Sequence, residues 1–108
     1  MVTGLEDCVM LFMVIERFKD QNLHAVYRRF REHGRMTPEG LAFVGSWVEA
    51  SGSRCFQLME CDDLRLFQQW IANWHDLAEF EIVPVVFGKD TAEAIIPLLD
   101  LEETIAAG

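Results

Sequence analysis

The feature that most constrains the fold is a run of seven consecutive apolar residues, Val9–Ile15. The run is far shorter than the roughly twenty apolar residues that a membrane-spanning helix needs. It is partly β-branched and contains neither proline nor glycine, which is typical of a central strand buried on both faces. It therefore predicts a strand in the middle of a sheet, and the remaining elements must cover that strand on both sides.

Two later segments carry apolar residues at the spacing of an amphipathic helix. In the first, Asp20 or Asn22 is a candidate N-cap and Gly34 a helix stop. The second follows Asp62-Asp63, which suit the positive end of a helix. The apolar positions are Leu23, Val26, Tyr27 and Phe30 in the first segment, and Phe67, Trp70, Ile71, Trp74, Leu77 and Ala78 in the second.

Leu41–Ala50 and Arg54–Cys61 are interpreted as two strands of a hairpin with a two-residue turn at Ser51-Gly52. That turn pairs Ala50 with Ser53 and sets Glu49 opposite Arg54, and the facing charges favour this register. The same register pairs Val48 with Cys55, Trp47 with Phe56, Ser46 with Gln57 and Gly45 with Leu58.

Glu79–Phe87 is interpreted as a fourth strand, which Pro84 confines to a sheet edge or a bulge. The order β-α-β-β-α-β predicts an α+β fold, a ferredoxin-like sandwich whose four-stranded antiparallel sheet carries two helices on one face. We expect this domain to span residues 10–88. Residues 1–9 are then an N-terminal extension, and residues 89–108 a tail of short helical turns interrupted by Pro97.

Both faces of the predicted sheet are apolar, although two helices can cover only one of them. In the hairpin, one face carries Phe43, Trp47, Phe56 and Leu58, and the other carries Val44, Val48, Cys55 and Met59. An uncovered apolar face of about 400 Å² or more invites association. We therefore expect a homodimer that packs sheet on sheet, with the apolar tail against either the body of its own chain or the partner.

The chain has a net charge of −9, which argues against a nucleic-acid partner and against an anionic membrane surface. Basic residues concentrate in residues 17–35 and acidic residues in 76–103. This asymmetry fits a solvated helix face beside an acidic tail; the alternatives are an anion site on the first helix or docking of the tail onto it. Because Met1–Asp7 lacks the basic charge of a secretory signal, we expect a cytoplasmic protein.

Neither a metal nor a cofactor is expected. The sequence has no glycine-rich phosphate loop, and its histidines do not have the spacing of metal ligands. His24 and His33 would lie about 13 Å apart along one helix. His75 is expected at a helix end, and the three cysteines are interpreted as reduced and mostly buried thiols. Glu16 and Glu60 are candidates for acid–base catalysis, although carboxylates at strand ends are usually solvated.

Four residues form the candidate ligand site: Tyr27, Ser46, Gln57 and Trp74. Tyr27 lies on the apolar stripe of the first helix, and the hairpin register sets Ser46 beside Gln57 on one face. A buried glutamine needs partners, because an unpaired buried polar group costs about 1 to 3 kcal/mol. Either Ser46, Gln57 and Tyr27 bond to one another or to trapped water, or they hold the polar end of a mostly apolar ligand, with Trp74 as one wall.

Several stretches between Met10 and Val86 resemble a small bacterial family catalogued as domain of unknown function 3303. The stretches are Met10–Phe18, Tyr27–Arg31, Gly34–Met36, Pro38–Gly40, Ser46-Trp47 and Arg54–Glu60. The resemblance implies a ferredoxin-like fold of the dimeric α/β-barrel type and no established reaction. Proteins of that type include cofactor-free enzymes and plain ligand binders, so the choice of function cannot rest on the fold.

Two functions remain open at this point. The first is a small-molecule binder, or a cofactor-free enzyme, that uses a cavity in a dimeric α/β barrel. The second is a non-catalytic module that serves assembly or protein contact. A cavity of about 300 Å³ or more with converging polar groups favours the first, and a fully packed core favours the second.

Overall fold

The computed structural model describes residues 9–107. Within them the chain forms one antiparallel sheet of four strands and three helices, an α+β fold. The elements are β1 (Met10–Phe18), α1 (Leu23–His33), β2 (Ala42–Val48), β3 (Arg54–Cys61), α2 (Arg65–Ile71), β4 (Ala78–Val85) and α3 (Gly88–Ala107). Residues 1–8 of the expected N-terminal extension, Cys8 among them, lie outside the described residues.

The strand predicted from the apolar run is β1, and it is central, with β3 on one side and β4 on the other in the order β2-β3-β1-β4. It continues beyond Ile15 to Phe18. Phe12, Val14 and Glu16 face the helices and are each 4% exposed or less. Met13 and Ile15 point to the opposite face and are only partly buried. Within this chain the helices therefore bury one face of β1.

The hairpin register predicted from Ser51-Gly52 is confirmed for the pairs from Val48 and Cys55 to Gly45 and Leu58. The turn itself is wider than predicted. Its last ladder bond joins Glu49 N to Arg54 O at 2.9 Å, and Gly52 N donates to Glu49 O at 2.8 Å. The register is unchanged because the wider turn shortens each of the two strands by one residue. The Glu49 carboxylate also bonds the Arg54 guanidinium at 2.7 Å.

The prediction that Phe43 shares a face with Trp47 is wrong. A β-bulge between Phe43 and Gly45 leaves Val44 unpaired and sets Phe43 opposite Met59, whose side chain faces the helices. One extra residue in a strand moves every residue beyond it to the other face. Phe43 therefore lies on the helix-covered side of the sheet, and Val44 is left 47% exposed.

Helices α1 and α2 both pack on the face that carries Phe12 and Val14. At the start of α1, the side chain of Asn22 accepts a hydrogen bond from Ala25 N at 3.1 Å, so the predicted N-cap is confirmed. Gly34 ends α1 with a φ of 71°, a conformation that glycine adopts without strain. Edge-to-face contacts of Phe12 with Phe67 and of Trp70 with Phe80 fill the core.

Helix α2 is shorter than its periodicity predicts. It ends at Ile71, and residues 72–77 form turns instead. Bonds from Trp74 N to Ile71 O at 2.8 Å and from Leu77 N to Trp74 O at 2.9 Å hold these turns. Ala78 then enters β4 opposite Phe18. The apolar side chains stay on the core side because the turns bond at nearly helical spacing, and the early end of α2 brings β4 back to β1.

Strand β4 lies at an edge of the sheet, as Pro84 predicts. Pro84 pairs with Phe12 of β1, and among the described residues β4 has a neighbouring strand on one side only, where a missing donor is tolerated. The predicted end of this strand, Phe87, is two residues too late, because β4 ends at Val85.

The prediction of short helical turns in the tail is wrong, because residues 88–107 form the single helix α3 with Pro97 inside it. A proline within a helix removes one backbone bond but does not always end the helix. Every described residue of α3 is exposed, so α3 does not pack on the body of its own chain. The six large apolar residues left exposed are Ile95, Ile96, Leu98, Leu99, Leu101 and Ile105.

The side of the sheet away from α1 and α2 is called the open face here. Its apolar members are Leu11, Met13, Ile15, Trp47, Phe56, Leu58, Val83 and Val85. Trp47 is 56% exposed, which is unusual for so large an apolar side chain. None of the helices in residues 9–107 is both long and apolar enough to cross a membrane.

Candidate functional site

A cavity of about 220 Å³ opens between α1 and the helix-covered face of the sheet. Aromatic and apolar side chains form most of its wall: Phe18, Val26, Tyr27, Phe30, Trp70 and Trp74. Polar side chains come from the first three strands and from the loop after α1: Glu16, Arg35, Ser46, Cys55 and Gln57. A mostly apolar wall with a few converging polar groups is the usual make-up of a small-molecule site.

All four residues of the predicted ligand site line this one cavity. Gln57 and Trp74 are buried, being 7% and 5% exposed. Tyr27 is 47% exposed and stands at the mouth, and Ser46 is also exposed. Ser46 and Gln57 are paired across β2 and β3, so they share a face as predicted. A ligand role for these residues stays a prediction.

The partners of Gln57 differ from those expected. Its Nε2 donates to Glu16 Oε2, and its Oε1 accepts from Arg35 Nε at 2.9 Å. These bonds replace the expected ones to Ser46 and Tyr27. Within residues 9–107 every buried side-chain nitrogen and oxygen has a partner. Gln57 is thus the middle of a chain of hydrogen bonds, Arg35 to Gln57 to Glu16, that runs along the cavity wall.

The expectation that a strand-end carboxylate is solvated is wrong for Glu16, which is 4% exposed. Because β1 continues to Phe18, Glu16 lies inside the strand and on the same face as Phe12 and Val14. The alternation of β1 would have indicated this if the strand had been extended past Ile15. Glu60 pairs with Leu11 and therefore belongs to the open face, outside the cavity.

Burial raises the pKa of the Glu16 carboxyl above its usual value, although the bonds from Gln57 and Cys55 and the charge of Arg35 oppose the shift. Burial, with a further contribution from Glu16, raises the pKa of the Cys55 thiol to about 12. Cys55 is therefore protonated at neutral pH and is not a nucleophile. Burial also raises the pKa of the Tyr27 phenol, helped by Cys55 and Glu16. The cavity thus offers proton donors beside one carboxyl group.

Arg35 is held in place from several sides. Its backbone oxygen accepts from Trp70 Nε1 at 2.9 Å and from Trp74 Nε1 at 3.0 Å. Its guanidinium carbon lies 3.7 Å from the ring centroid of Phe43, a cation–π contact. Met36 follows with a φ of 61°, so the chain turns sharply just after Arg35. Backbone strain of this kind persists where the surroundings fix the conformation.

Arg35 lines the cavity and bonds Gln57, although the sequence does not predict it as a site residue. Its position depends on contacts with α2, with Trp74 after it and with β2 and β3, all distant along the chain. No local pattern signals such a placement. The only hint lies in the resemblance, which includes Gly34–Met36 among its stretches.

A second arginine fixes the wall of the cavity. Arg29 of α1 bonds both carboxylate oxygens of Asp76 at 2.7 Å, and its guanidinium carbon lies 5.7 Å from the ring centroid of Trp74. The bond to Arg29 lowers the pKa of Asp76 to about 2. These contacts join α1, which carries Tyr27, to the turns after α2, which carry Trp74.

The three histidines do not line the cavity. His24, His33 and His75 are all exposed. No group of three or more metal-ligating side chains occurs in the part of the chain that the structure describes. Cys55 and Cys61 are free and buried, as predicted.

Comparison with known proteins gives one match. The model of the family described as "Domain of unknown function (DUF3303)" matches residues 10–99. No curated protein and no solved structure matches the chain. The matched range contains every residue that lines the cavity, and it also includes the first twelve residues of α3.

Proposed function

The chain belongs to the DUF3303 family, whose description names no function, and we propose that its cavity binds a small, mostly apolar molecule bearing one polar oxygen. The observation that carries this proposal is the hydrogen-bonded chain Arg35–Gln57–Glu16 on an otherwise aromatic wall. Three polar side chains in one partly apolar cavity are costly to bury unless they are paired. A ligand hydroxyl or carbonyl would bond to them while its hydrocarbon part covers Trp70 and Trp74.

The cavity limits the size of the ligand. Its volume of about 220 Å³ lies below the 300 Å³ or so at which drug-sized pockets begin. The other feature expected of a ligand site, a set of converging polar groups, is present in the cavity. We therefore restrict the ligand to a molecule of one or two rings, with the exposed Tyr27 and Phe30 at the entrance.

We also propose that two copies pair through their open faces, which would make each a ferredoxin-like half of a dimeric α/β barrel. Support comes from the strand order β2-β3-β1-β4, from both α1 and α2 lying on one face, and from the exposure of Trp47 on the other. A contact of roughly 1,200 to 2,000 Å² is usual for a stable pair. A two-fold axis would let the same face meet its own copy.

Indole N–H signals provide a direct test of ligand binding. Trp70 and Trp74 line the cavity and donate to Arg35 O, whereas Trp47 stands on the open face. Their three Nε1–H resonances, assigned with Trp→Phe variants, are followed while phenylacetone, cyclohexanone or benzyl alcohol is added. We expect shifts at Trp70 and Trp74 with Trp47 unchanged. Native mass spectrometry of the freshly purified protein searches in parallel for a bound molecule.

Matched variants show whether the response comes from the cavity. Gln57→Leu should abolish the shifts, while the same substitution at the exposed Gln68 of α2 should leave them unchanged. If none of the three compounds moves the cavity signals and no bound molecule is found, the ligand-binding proposal is wrong.

A second candidate function is assembly without ligand binding, and α3 favours it. A twenty-residue helix with every described residue exposed and six large apolar side chains needs a covering surface. The indole experiment and a measurement of the oligomeric state together distinguish the two candidates. A stable dimer in which no compound shifts the Trp70 and Trp74 signals supports assembly alone.

A further inference from the structure

We propose that Glu16 is a catalytic base that moves a proton at the carbon beside a ligand carbonyl, while the Arg35 guanidinium holds the carbonyl oxygen. The substrate class is an enolisable ketone or aldehyde with an apolar body. This inference rests on the proposed ligand binding and adds a reaction to it.

The two groups are arranged for this division of work. Gln57 is bonded to both, through Nε2 to Glu16 and through Oε1 to Arg35, so carboxyl and guanidinium flank one amide on the same wall. Arg35 uses only Nε for that bond, and within residues 9–107 its two Nη groups have no hydrogen-bond partner. They are thus available to an oxygen in the cavity.

Both groups are also held rigidly enough to act as a pair. Phe43 stacks on the guanidinium, and the indoles of Trp70 and Trp74 bond the backbone oxygen of Arg35. Glu16 is fixed by its position inside β1 between the paired strands β3 and β4. Fixed donors aimed at the site where negative charge develops are the main source of catalysis in such reactions.

The reaction needs no oxidant, reductant or second substrate. The Glu16 carboxylate takes a proton from the α-carbon: the C–H bond breaks, an O–H bond forms on Glu16, and the electron pair moves to the carbonyl oxygen as an enolate. Arg35 stabilises that oxygen. Glu16 then delivers a proton, either the one that it took or a solvent proton that has replaced it on the carboxyl, and the carboxylate is restored. Delivery of a solvent proton to the same carbon exchanges the α-hydrogen, and delivery to another carbon of a conjugated enolate isomerises the substrate.

The surroundings of Glu16 strengthen its carboxylate as a base. The charged and titratable groups that face it in the cavity are Arg35, Cys55 and Tyr27. Cys55 stays protonated because its pKa is raised to about 12, and the pKa of Tyr27 is raised as well, so neither competes as a base. Burial raises the pKa of Glu16 above its usual value, against the opposing effects of Gln57, Cys55 and Arg35, and this makes its carboxylate a stronger base.

Exchange of the benzylic protons of phenylacetone in D₂O, followed by ¹H NMR, tests the inference. The protein should accelerate exchange over buffer, and Glu16→Gln should reduce the protein-dependent rate at least tenfold, since general bases contribute about 10²- to 10⁴-fold. Glu32→Gln makes the same change at an exposed position near the end of α1, outside the cavity, and should leave the rate unchanged. In the unaltered protein, the rate should rise with pH through a midpoint above the usual pKa of a glutamate.

The outcomes distinguish the catalytic role of Glu16 from the proposal of ligand binding, because the indole signals of Trp70 and Trp74 are recorded on the same samples. If phenylacetone shifts these signals but exchange equals that in buffer, or if Glu16→Gln exchanges as fast as the unaltered protein, the catalytic role is wrong and ligand binding stands. If phenylacetone, cyclohexanone and benzyl alcohol all leave the signals unmoved, both proposals are wrong. Should Glu16→Gln fail to fold, a pH-independent rate in the unaltered protein refutes the role of Glu16 instead.

Discussion

Replacing Gln57 by leucine removes the centre of the Arg35–Gln57–Glu16 chain while keeping a side chain of similar size. Gln57 is 7% exposed and has a bond on each side of its amide. Leucine adds favourable apolar burial but leaves Glu16 without its amide donor. We therefore expect the variant to be less stable, in contrast to the neutral effect expected if Gln57 served only a ligand.

The magnitude follows from what each partner loses. A buried polar group without a partner costs about 1 to 3 kcal/mol, and a charged group costs more. Arg35 is partly exposed and can turn to water, whereas Glu16 is 4% exposed and cannot. Counting Glu16 alone, and allowing for the better burial of leucine, we expect the free energy of unfolding to fall by about 2 kcal/mol. For a domain of this size that lowers Tm by roughly 8 to 16 °C.

Urea unfolding followed by tryptophan fluorescence measures the change. The matched control is Gln68→Leu, an identical substitution at an exposed position of α2, which should stay within about 0.5 kcal/mol of the unaltered protein. If Gln57→Leu also stays within about 0.5 kcal/mol, the amide does not stabilise the buried carboxyl and the reasoning is refuted.

Three further outcomes are expected. Glu16→Gln should gain stability relative to the unaltered protein as pH rises above the unfolded-state pKa of Glu16. Because burial raises the folded-state pKa of Glu16, the contribution of Glu16 to stability is fully present below the unfolded pKa and is lost as pH rises through the folded pKa. Urea unfolding at several pH values checks this, and a pH-independent difference between the two proteins contradicts it. Trp47→Glu on the open face should reduce the mass measured by light scattering from that of two copies to the 12.4 kDa of one; a mass of 12.4 kDa before the change would disprove the dimer. Truncation after Gly88 should weaken the dimer, because α3 makes no buried contact with its own body; an unchanged mass and an unchanged melt would instead identify α3 as a frayed terminus.

Local chemistry was sufficient to predict much of the sheet. The apolar run ending at Ile15 identifies the central strand, and Pro84 assigns β4 to an edge because proline cannot donate to a ladder. The register of β2 against β3 follows from the turn and the facing charges of Glu49 and Arg54. Each of these depends on residues close together in the chain or on one missing donor.

The candidate site was predicted only in part. Tyr27, Ser46, Gln57 and Trp74 could be brought to one face by helical and strand periodicity, and all four line the cavity. The burial of Gln57 was likewise foreseen, but its partners were not. Arg35 reaches the amide from a loop twenty-two residues away, and no local pattern predicts a hydrogen bond of that kind.

Sequence alone determined which residues alternate between the two faces of a strand, which cap a helix and which form a turn. Those properties belong to short segments and to the covalent geometry of the backbone. Tertiary structure decided the rest. Packing set where β1 ends and thereby buried Glu16, and the bulge in β2 turned Phe43 towards Arg35. The physical reason is that burial and charge pairing depend on which distant segments meet, and that is settled only when helices and sheet pack together.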